Sequence, residues 1–437
     1  MKHLFPILLL FLLLLAACGE DRSHEYEELT AHNTWLLAQM HDQYLWGDQL
    51  AEPTYKNYFQ TSTKFFSTLC SSVGQNDSWS YCLVDSTQSD PHERGAFNHL
   101  DCYGLDYVIL TDPTKATSRQ LACITYVAPD SPASECGLER GMFVSMADST
   151  RLTSSNAAQY LKSGTAHLLT AHHTDTLRID SLDITAYVWA DTLQLSMPAS
   201  RQVVEAAFPV RSFVSYGGAW IGYLLCTRLV DRPDELPSTT DPIYRDQLDA
   251  HMQYFIQAQP TELVLDLRYC NYGTLDMACR LASYIVPANR RQGLFAQTLR
   301  NQRHTDRNTA YTFDQSLPSL ELSRIYVITG NYTQGAAEWL IRGLRSALGD
   351  DNVMLVGSAT KGQNVLTEHI GSAYGHQFFP AVAYVADASG NYATGPLPAT
   401  YSLSETTTSL LPYMKELGNP TEALFLASIL AMFDEEE

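Results

Sequence analysis

The spacing of apolar and polar positions divides the chain into regions with different periodicities. Residues 26–44 carry apolar side chains at helical spacing, which predicts an amphipathic helix. Residues 107–188 contain short β-branched runs separated by turn residues, which predicts a small β-rich domain with one helix near 156–161. The polar stretch 86–98 between them is predicted to be a loop or linker.

Strand and helix patterns then alternate from about residue 216 onward. Such alternation implies right-handed crossovers and a mostly parallel sheet that is covered on both faces, so the expected fold class is α/β. Sites in such sheets lie at the carboxyl ends of strands, where Gly273, Gly335 and Thr360 are predicted to fall. The pattern predicts strands at 220–230, 263–267, 324–329 and 353–356, and helices at 244–256, 277–286 and 336–348.

Residues 1–17 have the pattern of an export signal. A short basic start precedes an almost pure leucine run at 8–15, which is too short to span a bilayer as a helix. Leu15-Ala16-Ala17-Cys18 has the form of a lipobox, so Cys18 is predicted to carry a lipid that anchors the chain to a membrane. An ordinary secretory peptide with a chance cysteine is the alternative. The acidic residues after Cys18 resemble a surface-export signal of Gram-negative lipoproteins, which predicts an outer-membrane location on either face.

Composition narrows the classes of partner. The chain has 437 residues, which is enough for about three domains. Its net charge of −20 argues against nucleic acid or an anionic membrane surface as a partner. Eight cysteines follow Cys18, which permits disulfides in an exported chain, but no C-x-x-C pair is present and no pairing is assigned. We expect no metal or cofactor, and we interpret His167, His172 and His173 as surface residues.

Two short segments carry a resemblance to a known family. Residues 333–338 read T-Q-G-A-A-E and residues 357–364 read G-S-A-T-K-G-Q-N. They resemble the catalytic segments of the C-terminal-processing (tail-specific) serine peptidases, family forty-one of the serine peptidases, which read roughly T-A-S-A-S-E and G-x-x-T-x-G-K. In that family the first serine of S-A-S-E is the nucleophile and the lysine is its base. The resemblance places Gly335 at the nucleophile position and Gln363 at the base position.

Further segments extend the resemblance along the chain in the family's order. The sequence L-V-L-D-L-R-Y at 263–269 is similar to a family strand, and 222–224 is similar to its G-Y-L strand. Residues 127–141 resemble the family's PDZ signature, although Met142 stands where the family has aspartate. Residues 35–46 resemble its N-terminal helical domain. The resemblance implies a signal peptide (1–17), an N-terminal helical domain (18–90), a PDZ-like β-rich domain (103–190) and a ClpP/crotonase-like α/β core (191–437).

The substituted positions remove the expected chemistry. A serine–lysine dyad needs a hydroxyl and a neutral amine within hydrogen-bond reach, whereas Gly335 has no hydroxyl and the Gln363 amide cannot accept a proton. We therefore expect a catalytically inactive protein that binds unstructured peptides or protein C-termini. Glu338 is retained, and its place in the first turn of a helix is sufficient to explain it. The amides of Gly273 and Ala336 are expected to form an oxyanion-hole-like pocket that binds a carbonyl or carboxylate.

Three other interpretations stay open. Ser358 and Lys361 have the S-x-x-K spacing of penicillin-recognising enzymes and are the alternative nucleophile and base, although that motif needs a helix and this segment is predicted to be a loop. Thr333 or Thr360 with Lys361 is a further arrangement, in which no base is positioned. A surface-binding or structural lipoprotein without any peptidase-derived role is the alternative from another functional class.

Overall fold

A computed structural model describes residues 23–74, 77–84, 91, 94, 101–114, 118–179, 184–233, 239–373, 375–393 and 395–433. Cys18 and the predicted signal peptide lie outside the described residues, as does most of the predicted loop at 86–98. No helix in the described ranges is both long enough and apolar enough to cross a bilayer. The chain forms two units: residues 1–85, 301–303 and 367–382 make the first, and residues 86–300, 304–366 and 383–437 make the second.

The first unit combines two helices with a small antiparallel sheet. Helix α1 (Ser23–Gln43) covers the helix predicted at 26–44 except for its last residue. Leu36 and Met40 are four positions apart, so they lie on one face of this helix and both are fully buried. The other elements are α2 (Ser62–Ser72) and the strands β1 (Tyr81–Leu83), β18 (Gly371–Ala373) and β19 (His376–Phe379), in the sheet order β1, β19, β18.

The first part of the second unit is the β-rich module, residues 102–201. Its sheet has the order β2, β3, β4, β6, β9, with β5 paired to β4 and a separate hairpin of β7 and β8. Strands β2 and β9 therefore lie at the two edges of the described sheet. The identification of this module as a PDZ-like domain stays a prediction. The elements are β2 (Leu105–Thr111), β3 (Gln120–Val127), α3 (Pro132–Glu135), β4 (Phe143–Ala147), β5 (Thr150–Arg151), α4 (Ala157–Leu161), β6 (His167–His172), β7 (Thr174–Ile179), β8 (Ile184–Trp189) and β9 (Leu193–Met197).

The remainder of the second unit is built on a six-stranded sheet in the order β10, β11, β12, β15, β16, β21. Strand β10 is antiparallel to β11, and the other neighbouring strands are parallel, so the predicted mostly parallel sheet is confirmed. Its elements are β10 (Val210–Tyr216), β11 (Ala219–Leu225), α5 (Ile243–Ala258), β12 (Glu262–Asp266), α6 (Leu275–Ile285), β15 (Ile325–Thr329), α7 (Ala336–Leu348), β16 (Val353–Gly357), β21 (Tyr401–Ser402) and α8 (Ala423–Ala431).

Both faces of this sheet are buried. In β12, Leu263 and Leu265 pack into the core that contains α5, α6 and α7, whereas Val264 packs into the core that contains α8. A strand that is buried on both faces needs apolar residues at consecutive positions, which explains the unbroken apolar run in β12. A second sheet with the order β14, β13, β20, β17 consists of β13 (Leu294–Arg300), β14 (Ala310–Thr312), β17 (Val365–Thr367) and β20 (Ala381–Ala386).

The structure corrects the prediction for His172 and shows the state of the cysteines. His172 was expected at the surface but is 7% exposed, because its ring stacks on Trp189 and its Nε2 lies 2.8 Å from the Ser145 hydroxyl. The eight cysteines that follow Cys18 are all free thiols. Cys226 and Cys270 lie with their sulfur atoms 3.9 Å apart, beyond bonding distance.

Candidate functional site

Three loops meet at the carboxyl ends of β12, β15 and β16, and hydrogen bonds join them. The Thr333 hydroxyl donates to the Leu267 carbonyl at 2.9 Å, and the Thr333 carbonyl accepts from the Lys361 amide at 2.9 Å. The Gln334 amide donates to the Cys270 carbonyl at 3.2 Å. Because neighbouring parallel strands end at the same edge of a sheet, segments that are far apart in sequence converge here.

The structure brings Gly335 and Gln363 together. Gly335 precedes the first residue of α7 and has φ +56° and ψ −119°, a conformation that L side chains rarely adopt. A Cβ atom on Gly335 would lie 3.0 Å from Oε1 of Gln363. The Gln363 side chain is held there because its Nε2 donates to the Val365 carbonyl at 3.2 Å. Gly335 and Gln363 thus face each other, and neither residue carries a hydroxyl or an amine.

Glu338 is the central acceptor of the site. Its carboxylate is 2% exposed and accepts the amides of Gly335 at 3.3 Å, Gln363 at 2.7 Å and Gly362 at 2.8 Å, together with the Thr360 hydroxyl. Burial raises the pKa of Glu338 to about 7, against the opposing effect of these hydrogen bonds. The helix dipole is therefore an incomplete explanation of this residue, because Glu338 also ties the start of α7 to the loop after β16.

Gly273 and Ala336, which the resemblance assigned to an oxyanion-hole-like pocket, are in direct contact. A Cβ on Gly273 would come within 2.8 Å of the Ala336 Cβ and 2.6 Å of the Leu229 Cβ, so no larger residue fits without movement. The backbone around Gly273 is fixed by two hydrogen bonds, from Leu229 to the Tyr272 carbonyl at 2.9 Å and from Thr274 to the Leu229 carbonyl at 2.8 Å. The loop therefore holds its backbone close to the start of α7.

Ser358 and Lys361 do not lie on a helix. The segment that contains them is a loop, Lys361 is exposed and Ser358 is half-buried. The backbone of Ser358 is engaged with Thr329, which accepts the Ser358 amide at 3.1 Å and donates its hydroxyl to the Ser358 carbonyl at 2.7 Å. The S-x-x-K spacing therefore lacks the helical turn that brings such a pair together.

Both threonine hydroxyls are used in structural hydrogen bonds. The Thr333 hydroxyl accepts the Gly330 amide at 2.9 Å while it donates to Leu267. The Thr360 hydroxyl accepts the Leu397 amide at 2.8 Å while it donates to Glu338. A hydroxyl with both partners fixed in the fold stabilises loops and is poorly placed for attack on a substrate.

A buried charge cluster lies beside these loops, and the sequence analysis did not find it. Arg268 is 2% exposed, and its guanidinium donates to Asp266 at 3.0 Å, to Glu405 at 2.8 Å and to Glu422 at 2.8 and 2.9 Å. Burial acts to raise the pKa of Glu422, but Arg268 and Arg140 outweigh it and lower that pKa to about 2. The signal in the sequence was a charged pair, Asp266 and Arg268, inside an apolar strand motif.

Arg140 joins the β-rich module to this cluster. Its guanidinium donates to Glu405 at 2.7 Å, Glu422 at 3.0 Å, the Tyr269 hydroxyl at 2.7 Å and the Lys415 carbonyl at 2.9 Å. It also donates to the carbonyl of Thr125 in its own module. Every hydrogen-bonding position of this side chain is therefore occupied, mostly by groups outside the module.

A groove of about 360 Å³ runs along β2 toward the loop that carries Gly335. Asp106 in its wall is ion-paired to Arg94 at 2.7 Å, and burial raises the pKa of Asp106 to about 6 despite that arginine. Lys162 is exposed at the groove. The groove is lined by Leu105, Asp106, Tyr107, Ile109, Ser154, Leu161, Lys162 and Tyr332.

The described residues include no candidate metal site. No group of three or more histidine, cysteine, aspartate or glutamate side chains lies close enough there to hold an ion. His173 lies beside two carboxylates, Asp191 at 2.8 Å and Glu139 at 3.7 Å, and His167 pairs with Asp148 at 2.6 Å.

Both units contain residues that match models of known protein families. Residues 31–81 match the family model described as Peptidase S41 N-terminal domain, and residues 234–395 match the one described as Peptidase family S41. The crystal structure of a candidate S41 protease from Bacteroides fragilis shares 28% sequence identity with a TM-score of 0.78, covering 92% of this chain and 98% of that chain. Its likeness confirms the multi-domain α/β fold class.

Two further solved structures show lower similarity. The photosystem II D1 C-terminal processing protease is 15% identical, with a TM-score of 0.49 and coverage of 91% of this chain and 99% of that chain. Mature CPAF complexed with lactacystin is 12% identical, with a TM-score of 0.47 and coverage of 93% and 98%. No curated protein sequence matches the chain.

Proposed function

The chain belongs to peptidase family S41, the C-terminal-processing peptidases, and from this premise we propose that it is a catalytically inactive member that binds unstructured peptides or protein C-termini. The observation that carries the proposal is the pair Gly335 and Gln363. A Cβ at position 335 would lie 3.0 Å from the Gln363 amide oxygen, so the two side chains that would perform acyl transfer are both substituted in one place. Loss of a nucleophile or its base costs orders of magnitude in rate.

The backbone around Gly335 and Gln363 is suited to binding a peptide. Glu338 still holds the loop of Gln363 against the start of α7, and Gly273 still packs on Ala336. A peptide carbonyl or terminal carboxylate bound near these backbone amides would meet no nucleophile.

The groove along β2 offers a route for an extended peptide. Strand β2 is at the edge of its sheet, and an edge strand accepts a peptide as an additional strand through main-chain hydrogen bonds. Ile109 and Leu161 supply apolar wall, and Lys162 supplies a cation for a terminal carboxylate. Tyr332, which also lines the groove, is three residues before Gly335, so a peptide seated there extends toward the emptied site.

We further propose that Cys18 carries a lipid that anchors the protein in the envelope of a Gram-negative bacterium, at its outer membrane. The support is the lipobox Leu15-Ala16-Ala17-Cys18 after a short leucine run. Mass spectrometry of the N-terminal peptide from envelope fractions tests this part alone. A mature N-terminus at another residue, or an unmodified Cys18, contradicts it.

Activity is tested with the purified mature chain and reduced casein. We expect no cleavage by the native protein and none by a Ser358→Ala variant. A Gly335→Ser/Gln363→Lys double variant, which restores a hydroxyl and an amine at the facing positions, shows whether the frame still supports hydrolysis. Cleavage by the native chain that Ser358→Ala abolishes would refute inactivity and establish the displaced nucleophile.

Binding is tested by fluorescence anisotropy with a labelled unstructured peptide that has a free C-terminal carboxylate. We expect Lys162→Glu to weaken binding by about tenfold or more, because a charge-assisted hydrogen bond contributes about 1.5–3 kcal/mol. Lys64→Glu, at an exposed lysine of the first unit, is the matched control. Equal affinity for the amidated peptide would contradict carboxylate recognition and favour a surface-binding lipoprotein without a peptidase-derived role.

A further inference from the structure

The first unit exposes a cluster of aromatic side chains that no part of the proposed site uses. We call Tyr26, Tyr55, Lys56 and Phe59 the aromatic patch. Tyr26 is 46% exposed, Tyr55 79% and Phe59 37%. The Phe59 ring lies 5.8 Å from the Tyr26 ring and 5.0 Å from the Tyr55 ring, both edge to face, so the three rings form one continuous surface.

The patch is presented by a fixed turn. The residues Tyr55–Phe59 form a short 3-10 helix in which none of the five is buried. Asn57 accepts the Thr54 amide at 2.7 Å and the Thr54 hydroxyl at 2.6 Å, which closes the start of the turn. Asn33, which is fully buried in α1, donates to the carbonyls of Tyr58 at 3.0 Å and Gln60 at 2.9 Å. Hydrogen bonds from a buried asparagine thus hold a turn whose Tyr55 and Phe59 rings face solvent.

The sequence limits how far the patch can lie from a lipid on Cys18. Ser23, the first residue of α1, is five positions after Cys18, and a chain of five residues reaches at most about 18 Å. Three helical residues from Ser23 to Tyr26 add about 5 Å. A lipidated Cys18 therefore keeps Tyr26 within about 23 Å of the bilayer surface, and it raises the effective concentration of that surface at the patch.

We propose that the aromatic patch is a membrane-contact surface that sits in the headgroup region of a zwitterionic bilayer. Tyrosine suits this region because its ring is apolar and its hydroxyl reaches water, and Lys56 can extend its ammonium group toward phosphates. The net charge of −20 disfavours attraction to anionic lipid, so the contact depends on burial of rings beside the anchor. The inference rests on the lipid-anchor part of the proposed function.

The test replaces the native lipid so that the two proposals fail separately. The mature chain from Gly19 carries an N-terminal histidine tag and is captured on phosphatidylcholine vesicles that contain a nickel-chelating lipid and brominated phosphatidylcholine. Tyr55→Trp introduces a reporter in the patch, and Tyr413→Trp introduces one at a half-exposed tyrosine of the second unit. The six native tryptophans give a common background, which the unsubstituted chain measures.

We expect the added tryptophan at position 55 to lose emission to the bromine atoms and to shift to the blue, and the one at 413 to do neither. A Tyr55→Ser/Phe59→Ser variant should bind vesicles of low chelator density about tenfold more weakly, because two partly buried rings are lost. An unchanged melting temperature of that variant shows that the fold is intact. Equal quenching at 55 and 413, or none at 55, overturns the proposal. A blue shift at 55 that grows with protein concentration in the absence of vesicles also overturns it, in favour of contact with a second copy.

Discussion

Replacement of Arg140 by methionine tests whether buried charges fix the β-rich module to the rest of the second unit. Methionine keeps much of the stem volume but removes every donor of the guanidinium. Glu405 and Glu422 would each lose one partner at 2.7 and 3.0 Å, and the Lys415 carbonyl would lose its donor at 2.9 Å. The cluster would retain three carboxylates around the single guanidinium of Arg268.

The expected cost follows from burial. Removing one partner of a buried ion pair destabilises a protein by about 3–5 kcal/mol, because an uncompensated charge remains in a poorly solvated site. Arg140 and Glu422 have side chains that are 4% and 0% exposed, so water cannot replace the missing donors. We therefore expect Arg140→Met to lower the free energy of unfolding of the second unit by about 3–5 kcal/mol.

Urea denaturation followed by tryptophan fluorescence measures this change. Arg201→Met is the matched control, since Arg201 lies at the end of the same module and pairs with Glu135 at 2.5 Å, but both side chains are about half exposed. An exposed ion pair contributes about 0–1 kcal/mol, so Arg201→Met should change the free energy of unfolding by less than about 1 kcal/mol. Limited proteolysis should cut Arg140→Met between the module and the core faster than the control. Equal effects of the two substitutions, or a loss below about 1 kcal/mol for Arg140→Met, would refute the argument.

Two further predictions concern Gly335, Gln363 and Glu338. Gly335→Ala should destabilise the chain by about 1–3 kcal/mol because of its φ of +56° and its contact with Gln363, and a Gly335→Ala/Gln363→Ala variant should be less than additive in urea denaturation. Gly390→Ala is the control for the backbone effect alone, because φ there is +85° and the nearest atom lies 4.0 Å from the added Cβ. Strict additivity of the Gly335→Ala/Gln363→Ala variant would show that the two residues do not face each other. Burial raises the pKa of Glu338 from 4.5 to about 7, so the folded chain keeps a proton that the unfolded chain releases in that interval. The free energy of unfolding of the native protein should therefore fall, relative to that of the Glu338→Gln variant, as the pH rises from 4.5 to about 7, and it should level off above this range. Parallel pH profiles of the two proteins in urea denaturation would contradict the raised pKa.

The periodicity of the sequence was sufficient for the main elements of the fold. Apolar runs buried on both faces identified β12, β15 and β16, and the alternation of these strands with helices predicted a parallel sheet. The convergence of the loops then followed from topology, since parallel strands end at one edge. The facing of Gly335 and Gln363 came from the family resemblance and had no basis in periodicity.

Polar contacts between residues that are remote in sequence could not be predicted from periodicity. Arg140, Glu405 and Glu422 each look like ordinary surface charges in their own segments, because the partners that neutralise them are remote in the chain. His172 was misplaced for a similar reason, since its partner Trp189 lies on another strand. Glu338 was explained by its own helix because the amides of Gly362 and Gln363 belong to a different loop.

The sequence separations within the buried charge cluster bear on the order in which the protein is assembled. Arg140 and Glu422 are 282 residues apart, and Arg268 and Glu422 are 154 residues apart. For a chain that folds while ribosomes extend it at about 5–20 residues per second, Arg140 waits on the order of 15–55 s for its last carboxylate. The C-terminal segment therefore acts as the closing element of the second unit. A prematurely terminated chain that lacks it would leave Arg140 without a carboxylate partner and Arg268 with Asp266 alone, so the β-rich module of an incomplete molecule would be weakly held and more open to proteolysis.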